Sequence, residues 1–170
     1  MRPVGLLSGL LLLLLGACNS GEQTLSQRAS SDTVAKVSAD DPAMLRAFAQ
    51  AHATLDDFLA RLASQDSAMV DPSLKVKIKD GEAVEYFWVI APKATVAGFS
   101  GLINNEPEEV RNVRLGQEIS FPKAQIFDWT YRDQSTGRMM GNFTACALLT
   151  HEPTAEASKF KQEYGLTCDP

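Results

Sequence analysis

The chain has 170 residues, of which 45% are hydrophobic and 22% are charged, a composition typical of one globular domain with a short extension. Its formal net charge at pH 7 is −5, and its lysines and arginines form no dense cluster. Because proteins bind nucleic acid by neutralising phosphates with such clusters, the composition argues against a nucleic-acid partner.

The first 17 residues have the pattern of a bacterial lipoprotein signal peptide. Arg2 precedes an apolar run that is too short to span a bilayer, which needs about 20 apolar residues. The run ends in Leu15-Gly16-Ala17-Cys18, which resembles the lipobox, in which the cysteine receives diacylglycerol. A plain secretory signal and a buried cysteine in an apolar helix are the alternatives. We expect cleavage before Cys18 and a lipid anchor on it. In enteric-type sorting, the residue after the lipidated cysteine selects the membrane, and Asn19 in place of aspartate indicates the outer membrane. We therefore expect the protein at the outer membrane, facing the periplasm.

Residues 18–39 are rich in small polar residues, show no apolar periodicity, and predict a flexible tether before a folded domain over 40–170. With Cys18 acylated, Cys146 and Cys168 remain as an even pair in a compartment that permits disulfides. We expect a bridge between them, with two free buried thiols as the alternative. The only histidines are His52 and His151, and neither has the spacing of zinc ligands, so no metal or cofactor is expected.

The first predicted element of the domain is an amphipathic helix over about 42–65. Asp41-Pro42 is a strong helix start, since aspartate caps free N–H groups and proline suits the first helical position. Apolar residues then recur at steps of three and four, with a histidine on the same stripe. This stripe consists of Leu45, Phe48, His52, Leu55, Leu59 and Leu62. We expect His52 to bond to backbone at the edge of the core rather than to act in catalysis.

A strand follows in which Leu74, Val76 and Ile78 alternate with three lysines that are expected to be solvated. The Asp80-Gly81 turn leads into a second strand over 83–90, and two registers are open. A two-residue loop pairs position 76 with 85 and puts Glu85 on the apolar face. A three-residue loop pairs 77 with 85, exposes Glu85 and buries Val84, Tyr86 and Trp88, and we favour it because of that burial.

Further strands are predicted at about 95–103, 117–121, 125–132 and 138–149, with a short helix near 153–163. In the strand at 125–132, Phe127 shares a face with Trp129 and Tyr131, while Asp128 points to the other face. A helix followed by consecutive strands predicts an α+β fold, in which the long helix packs on a mostly antiparallel sheet of about five or six strands.

Four sequence blocks within about 80–150 resemble the YegJ-like family of uncharacterised bacterial proteins, a domain of unknown function (DUF2314). They are Glu85-Tyr86-Phe87-Trp88-Val89, Phe99 to Pro107, Leu115-Gly116-Gln117-Glu118-Ile119 and Ile126-Phe127-Asp128-Trp129-Thr130-Tyr131. The resemblance implies a fold unit but no reaction. The chain is also distantly similar to small domains proposed as immunity proteins in bacterial toxin systems.

The residues singled out as ligand or structural candidates are Trp88, Asn104, Asn105, Asp128 and Trp129. We expect the tryptophans to fill the core and Asp128 to accept hydrogen bonds from loop backbone N–H groups. The alternative is that Glu85 and Asp128 form a pair for acid/base catalysis, which requires them to lie within roughly 5–9 Å of each other.

No motif of a known catalytic class is visible in the sequence, which favours a binding module over an enzyme. We therefore predict a lipid-tethered domain of the cell envelope that binds a protein or another envelope component. The alternatives are a hydrolase using Glu85 and Asp128, an immunity-type protein that neutralises a toxin, and a structural envelope protein without a discrete ligand.

Overall fold

The computed structural model describes residues 38–168, which form one six-stranded antiparallel sheet with three α-helices. The α+β class and the antiparallel sheet are confirmed. The helices are α1 (Pro42–Ala63), α2 (Phe143–Leu149) and α3 (Thr154–Tyr164). The strands are β1 (Met69–Asp80), β2 (Ala83–Thr95), β3 (Gly98–Ile103), β4 (Glu118–Phe121), β5 (Ile126–Asp133) and β6 (Met139–Gly141), and their order in the sheet is β4-β3-β2-β1-β5-β6.

The predicted signal peptide, Cys18 and nearly all of the predicted tether lie outside the described residues. Within residues 38–168, no helix is both long enough and apolar enough to cross a bilayer.

Helix α1 begins where the sequence indicates, because Asp41 Oδ1 accepts hydrogen bonds from Ala43 N (2.8 Å) and Met44 N (3.2 Å). Its buried stripe differs from the predicted one, since Leu45 is 53% exposed and His52 is also exposed. The buried residues are Met44, Ala47, Ala51, Leu55 and Phe58. Ala51 packs into the core with the sheet residues, whereas Met44 and Ala47 pack with Ala147 of α2, so the buried stripe of α1 is rotated toward these residues.

The β1–β2 hairpin has a register that differs from both predicted ones. Its loop is Gly81-Glu82, with Gly81 at φ +60°, and Ile78 pairs with Glu85. Glu85 therefore lies on the apolar face, at its half-buried margin, and the favoured three-residue loop is wrong. Because a shift of one residue exchanges the two faces of a strand, Phe87 and Val89 are buried instead of Val84, Tyr86 and Trp88.

A β-bulge in β5 changes the predicted faces of that strand. Lys75 pairs with Asp128, but the next pair is Val76 with Ile126, so Phe127 is the extra residue. Ile126 enters the core, whereas Phe127 packs with aromatic rings outside the core cluster. The buried core cluster consists of Ala51, Leu55, Phe58, Leu74, Val76, Phe87, Val89, Ile103, Val110, Phe121, Ile126, Trp129 and Tyr131.

The predicted strand over 138–149 is wrong beyond residue 141. β6 ends at Gly141, and helix α2 occupies most of the remainder. Gly141 (φ +73°) and Asn142 (φ +57°) are consecutive residues in the left-handed region, which turns the chain out of the sheet. The closing helix α3 lies within one residue of its predicted position.

Candidate functional site

Asp128 accepts four hydrogen bonds, three of which join strand β5 to helix α2, and its side chain is fully buried. Its Oδ1 accepts from Trp129 N (2.8 Å) and Phe143 N (3.3 Å), while Oδ2 accepts from Thr144 N (2.8 Å) and Thr144 Oγ1 (2.7 Å). Asn142, at the N-cap position of α2, makes no side-chain capping bond. The carboxylate from a distant strand therefore satisfies the free N–H groups that begin this helix.

Lys75 completes what we call the lysine cluster, consisting of Lys75, Trp88, Asp128 and Thr144. Its Nζ donates to Thr144 Oγ1 at 2.7 Å and lies 4.9 Å from the centroid of the Trp88 ring, a cation–π distance. The expectation of a solvated lysine is wrong here. Burial lowers the pKa of Lys75, although the charge of Asp128 opposes this change.

Burial likewise raises the pKa of Asp128. The charge of Lys75 and the hydrogen bonds from Thr144 and Trp129 act in the opposite direction, but burial has the larger effect. The sequence signal for this cluster was incomplete, because Thr144 fell in a predicted strand and Lys75 in a predicted polar face. Asp128 and Thr144 are buried, Lys75 and Trp88 are half-buried above them, and hydrogen bonds and a cation–π contact link these groups to one another. Its arrangement is that of a support for α2 and not of an open catalytic site.

Glu85 has a corresponding role at the opposite side of the sheet. Its carboxylate accepts hydrogen bonds from the consecutive backbone N–H groups of residues 108–110, at 3.0–3.2 Å. The last of these residues, Val110, is fully buried, so Glu85 helps to fasten the irregular segment 104–117 to the core. Glu85 is opposite Ile78 and Asp128 is opposite Lys75, and these β1 positions face opposite sides of the sheet. The structure therefore does not bring the two carboxylates together as a pair.

Asn104 and Asn105 both contact the backbone of Trp88. Asn104 N donates to Trp88 O at 2.8 Å, and Trp88 N donates to Asn105 Oδ1 at 2.9 Å. The pairing of β3 with β2 therefore continues past the end of β3. At this point the side-chain oxygen of Asn105 takes the place of a backbone carbonyl as the hydrogen-bond acceptor. Trp88 itself is half-buried beside Lys75 and lies outside the core, contrary to expectation.

Trp129 is in the core, as part of an aromatic row with Phe58 and Tyr131. The centroid of its ring lies 5.1 Å from that of Phe58 and 6.0 Å from that of Tyr131. Its indole Nε1 donates to Ala51 O and Thr54 Oγ1, both at 3.2 Å, which ties β5 to α1. This row forms the floor of a cleft of about 500 Å3 between α1 and the β5–β6 edge.

We call this feature the arginine cleft, because Arg61 and Arg138 both line it, together with Thr54, Asp57, Phe58, Trp129, Tyr131, Met139, Met140, Gly141, Phe143 and Thr167. Arg61 donates through Nε to Asp66 Oδ2 (2.9 Å) and through Nη1 to the Tyr131 hydroxyl. Arg138 donates through Nη2 to the Thr167 hydroxyl. Sequence analysis missed both arginines, since no local pattern relates residues so far apart in the chain.

A disulfide between Cys146 and Cys168 holds the C-terminal tail against α2, as the cysteine count predicted. The tail is also tied to β6, because Met139 N donates to Gly165 O at 3.0 Å. Thr167, one residue before the bridge, lines the arginine cleft. His52 Nε2 bonds to Ile126 O at 2.9 Å, as expected for a histidine at the edge of the core. Over residues 38–168, no group of three or more His, Cys, Asp or Glu side chains could hold a metal ion.

Together these features define a small α+β domain in which Glu85 fastens a loop and Asp128 fastens helix α2. The arginine cleft opens beside the β5–β6 edge of its sheet. The chain belongs to a bacterial family described as uncharacterized protein conserved in bacteria (DUF2314), whose model matches residues 41–168. This confirms the predicted family and extends the match beyond the expected 80–150, so that it includes α1.

Two relatives are similar to this chain. The uncharacterized protein YegJ of Escherichia coli K12 is 30% identical over 131 residues, which are 77% of this chain and 83% of that protein. A protein of Neisseria meningitidis serogroup B, named "Putative ankyrin repeat protein", is 28% identical over 105 residues, which are 62% of this chain and 41% of that protein. No solved structure matches the chain significantly.

Proposed function

We propose that the protein is a bacterial lipoprotein, anchored by lipid on Cys18, whose folded domain is a binding module of the cell envelope. The basic residue, the short apolar run and the small residues before Cys18 support the anchor. The Cys146–Cys168 bridge fits an oxidising compartment such as the periplasm. In this proposal the tether places the domain near the outer membrane, where it meets a protein or another envelope component.

The observation that favours binding over hydrolysis is the bonding of Glu85 and Asp128. A general acid or base must reach the substrate directly or through one water. Asp128 is fully buried and accepts four hydrogen bonds, while Glu85 accepts bonds from three consecutive backbone N–H groups on the other face of the sheet. Both carboxylates therefore serve the fold. An immunity-type role is one form of the binding proposal, with a toxin as the partner.

The anchor is tested by labelling cells with an alkyne analogue of palmitate. We expect the wild-type protein to carry the label and the Cys18→Ser variant to lack it while still folding, since the matched family domain begins at residue 41. Label that persists in Cys18→Ser contradicts the lipidation site.

The binding role is tested by site-specific photo-crosslinking in intact cells. One crosslinking residue replaces Met140, which is 37% exposed on the arginine cleft, and a matched one replaces Leu45, which is 53% exposed on α1 outside the cleft. We expect one recurrent partner from position 140, absent from position 45 and lost in the Cys18→Ser background. Identical product patterns from both positions, or no product from either, contradict a discrete partner at the cleft side of the domain.

A further inference from the structure

We propose that the arginine cleft binds a small organic monoanion, in which one carboxylate is joined to an apolar group. This inference rests on the proposed binding role and names the ligand class for it. A free acid of this kind and the C-terminal residue of a polypeptide share this chemistry. The aromatic floor, the guanidinium groups and the size of the cleft each support the proposal.

The floor of the cleft suits a flat or branched apolar group. The rings of Trp129 and Tyr131 are stacked with an interplanar angle of 17°, and the ring of Phe58 lies against both, with its centroid 5.1 Å from that of Trp129 and 6.2 Å from that of Tyr131. Met140 contributes a flexible apolar side chain that is 37% exposed. Phe58, Trp129 and Tyr131 are already buried within the domain, at 2%, 7% and 3% exposed, so they form a fixed base for the cleft. Burial of apolar surface is the main source of affinity in such clefts, and Met140 supplies most of the large apolar surface that a ligand can cover here.

The rim supplies donors for one carboxylate. Arg138 is exposed, bonds to the Thr167 hydroxyl, and has no ion-pair partner among the carboxylates of residues 38–168. A guanidinium offers five N–H donors in a planar fork that matches a carboxylate. Arg61 lies at the same cleft with its Cζ atom 5.3 Å from the Tyr131 ring centroid, and its bonds to Asp66 and Tyr131 hold it in place.

The size and charge of the cleft restrict the ligand. Its volume of about 500 Å3 lies within the range of sites for small molecules, roughly 300–1,000 Å3. Asp57 also lines the cleft, and Arg61 is already paired with Asp66. The repulsion between Asp57 and an anion grows with the charge of the anion, and Arg138 is the one guanidinium of the cleft that is not paired with a carboxylate of residues 38–168, so a single carboxylate matches the cleft best. The chemistry therefore favours a monoanion over a polyphosphate or a polycarboxylate.

The two tryptophans of the chain make a direct test possible, because their indole N–H groups give separate signals in a proton–nitrogen correlation spectrum. Trp129 forms the cleft floor, whereas Trp88 lies beside Lys75 outside the cleft. The protein used carries Cys18→Ser and lacks residues 1–17, so every described residue is retained. Trp88→Phe assigns the two signals. The probes are N-acetylphenylalanine and 3-phenylpropionate, and N-acetylphenylalaninamide is the uncharged control.

We expect both acids to shift the Trp129 indole signal in a saturable way while the Trp88 signal stays in place, and the amide to bind at least about threefold more weakly. Arg138→Gln should weaken both acids about three- to tenfold and leave the amide unchanged. The matched control is Arg132→Gln, since Arg132 bonds to Gly137 O and does not line the cleft. Met140→Glu, which adds a negative charge at the rim, should abolish binding of the acids.

Several results overturn the proposal. They are no saturable shift of the Trp129 signal up to about 20 mM probe, equal binding of acid and amide, and equal weakening by Arg132→Gln and Arg138→Gln. A preference for N-acetylphenylalanine over 3-phenylpropionate identifies a polypeptide C-terminus as the natural form of the ligand. If the acids fail while crosslinking from position 140 still yields one partner, the ligand class is wrong and the binding role stands. If the acids bind and crosslinking fails, the ligand class stands for a small free acid, and the discrete protein partner is wrong.

Discussion

Replacement of Asp128 by alanine should be among the most destabilising single changes in this domain. The side chain is fully buried and accepts hydrogen bonds from Trp129 N, Phe143 N, Thr144 N and the Thr144 hydroxyl. Alanine removes all four acceptor contacts and also the carboxylate charge that acts on the nearby Lys75 ammonium. Helix α2 loses the carboxylate that satisfies its first N–H groups.

The magnitude follows from the burial. Each buried donor that loses its acceptor costs about 1–3 kcal/mol, and removing one partner of a buried charge pair costs about 3–5 kcal/mol. These costs describe the same group and do not add, so we expect Asp128→Ala to lower the free energy of unfolding by about 3–5 kcal/mol. Asparagine keeps one acceptor oxygen, so Asp128→Asn should cost less than alanine does. Either loss is large beside the roughly 5–15 kcal/mol that stabilises a typical domain.

The assay is urea unfolding at pH 7, followed by circular dichroism and by tryptophan fluorescence, with the reductant-free protein. Asp56→Ala is the matched control, because Asp56 is 81% exposed and its loss should leave the midpoint nearly unchanged. Lys75→Met should be less harmful in the Asp128→Ala background than in the wild type, since it then removes an unpaired charge. A loss below about 1 kcal/mol for Asp128→Ala refutes the reasoning.

The remaining predictions concern Gly141, which lines the cleft, the loop fastened by Glu85, and the disulfide. Gly141→Ala should cost about 3 kcal/mol or more in urea unfolding, because a Cβ there meets Trp129 O at 2.2 Å, whereas Gly137→Ala, at similar φ with open space, should cost only about 1–2 kcal/mol. Glu85→Gln should speed amide hydrogen exchange at residues 108–110 severalfold, because the amide accepts more weakly than the carboxylate. Reduction of the disulfide, which spans a separation of 22 residues, should lower the free energy of unfolding by roughly 3 kcal/mol, and thiol reagents should tag neither cysteine before reduction.

Each of these has a clear contrary outcome. If Gly141→Ala and Gly137→Ala cost the same free energy of unfolding, the backbone and ring of Trp129 can shift away from the new Cβ, and the cleft floor is not rigid. Unchanged exchange at residues 108–110, with exchange elsewhere as the reference, means that Glu85 does not hold the loop. Labelling of both Cys146 and Cys168 in the unreduced protein means that the bridge is absent in solution.

The sequence predicted those elements whose cause lies within a few neighbouring residues. Helix α1 starts at Asp41-Pro42 because the cap and the proline act locally. Strand β1 follows from its alternation, and the turn at Gly81 from a residue that tolerates positive φ. The pairing of Cys146 with Cys168 followed from the cysteine count together with the expected lipid on Cys18.

The candidate site could be predicted only in part, because its partners are distant in the chain. Asp128 was singled out, and its role as an acceptor of backbone N–H groups was anticipated. Its partners Lys75 and Thr144 were not, since one was assigned to a wet face and the other to a strand. The arginine cleft was missed entirely, because Arg61 and Arg138 meet only when α1 packs beside β5 and β6.

By itself the sequence determined the class of the fold and the order of most elements, because hydrophobic period, caps and turn residues act over a few positions. The family followed from the resemblance of four sequence blocks, and the cysteine pair from the cysteine count. Tertiary structure decided the rest. The hairpin register depends on which residues find space in the core, and a shift of one residue moved Trp88 out of it and Phe87 in. The bulge at Phe127 and the start of α2 depend on contacts between distant segments. The position of Trp129 in the cleft floor likewise depends on its hydrogen bond to α1. Such contacts carry no local signature, so only the folded chain shows where a ligand has room to bind.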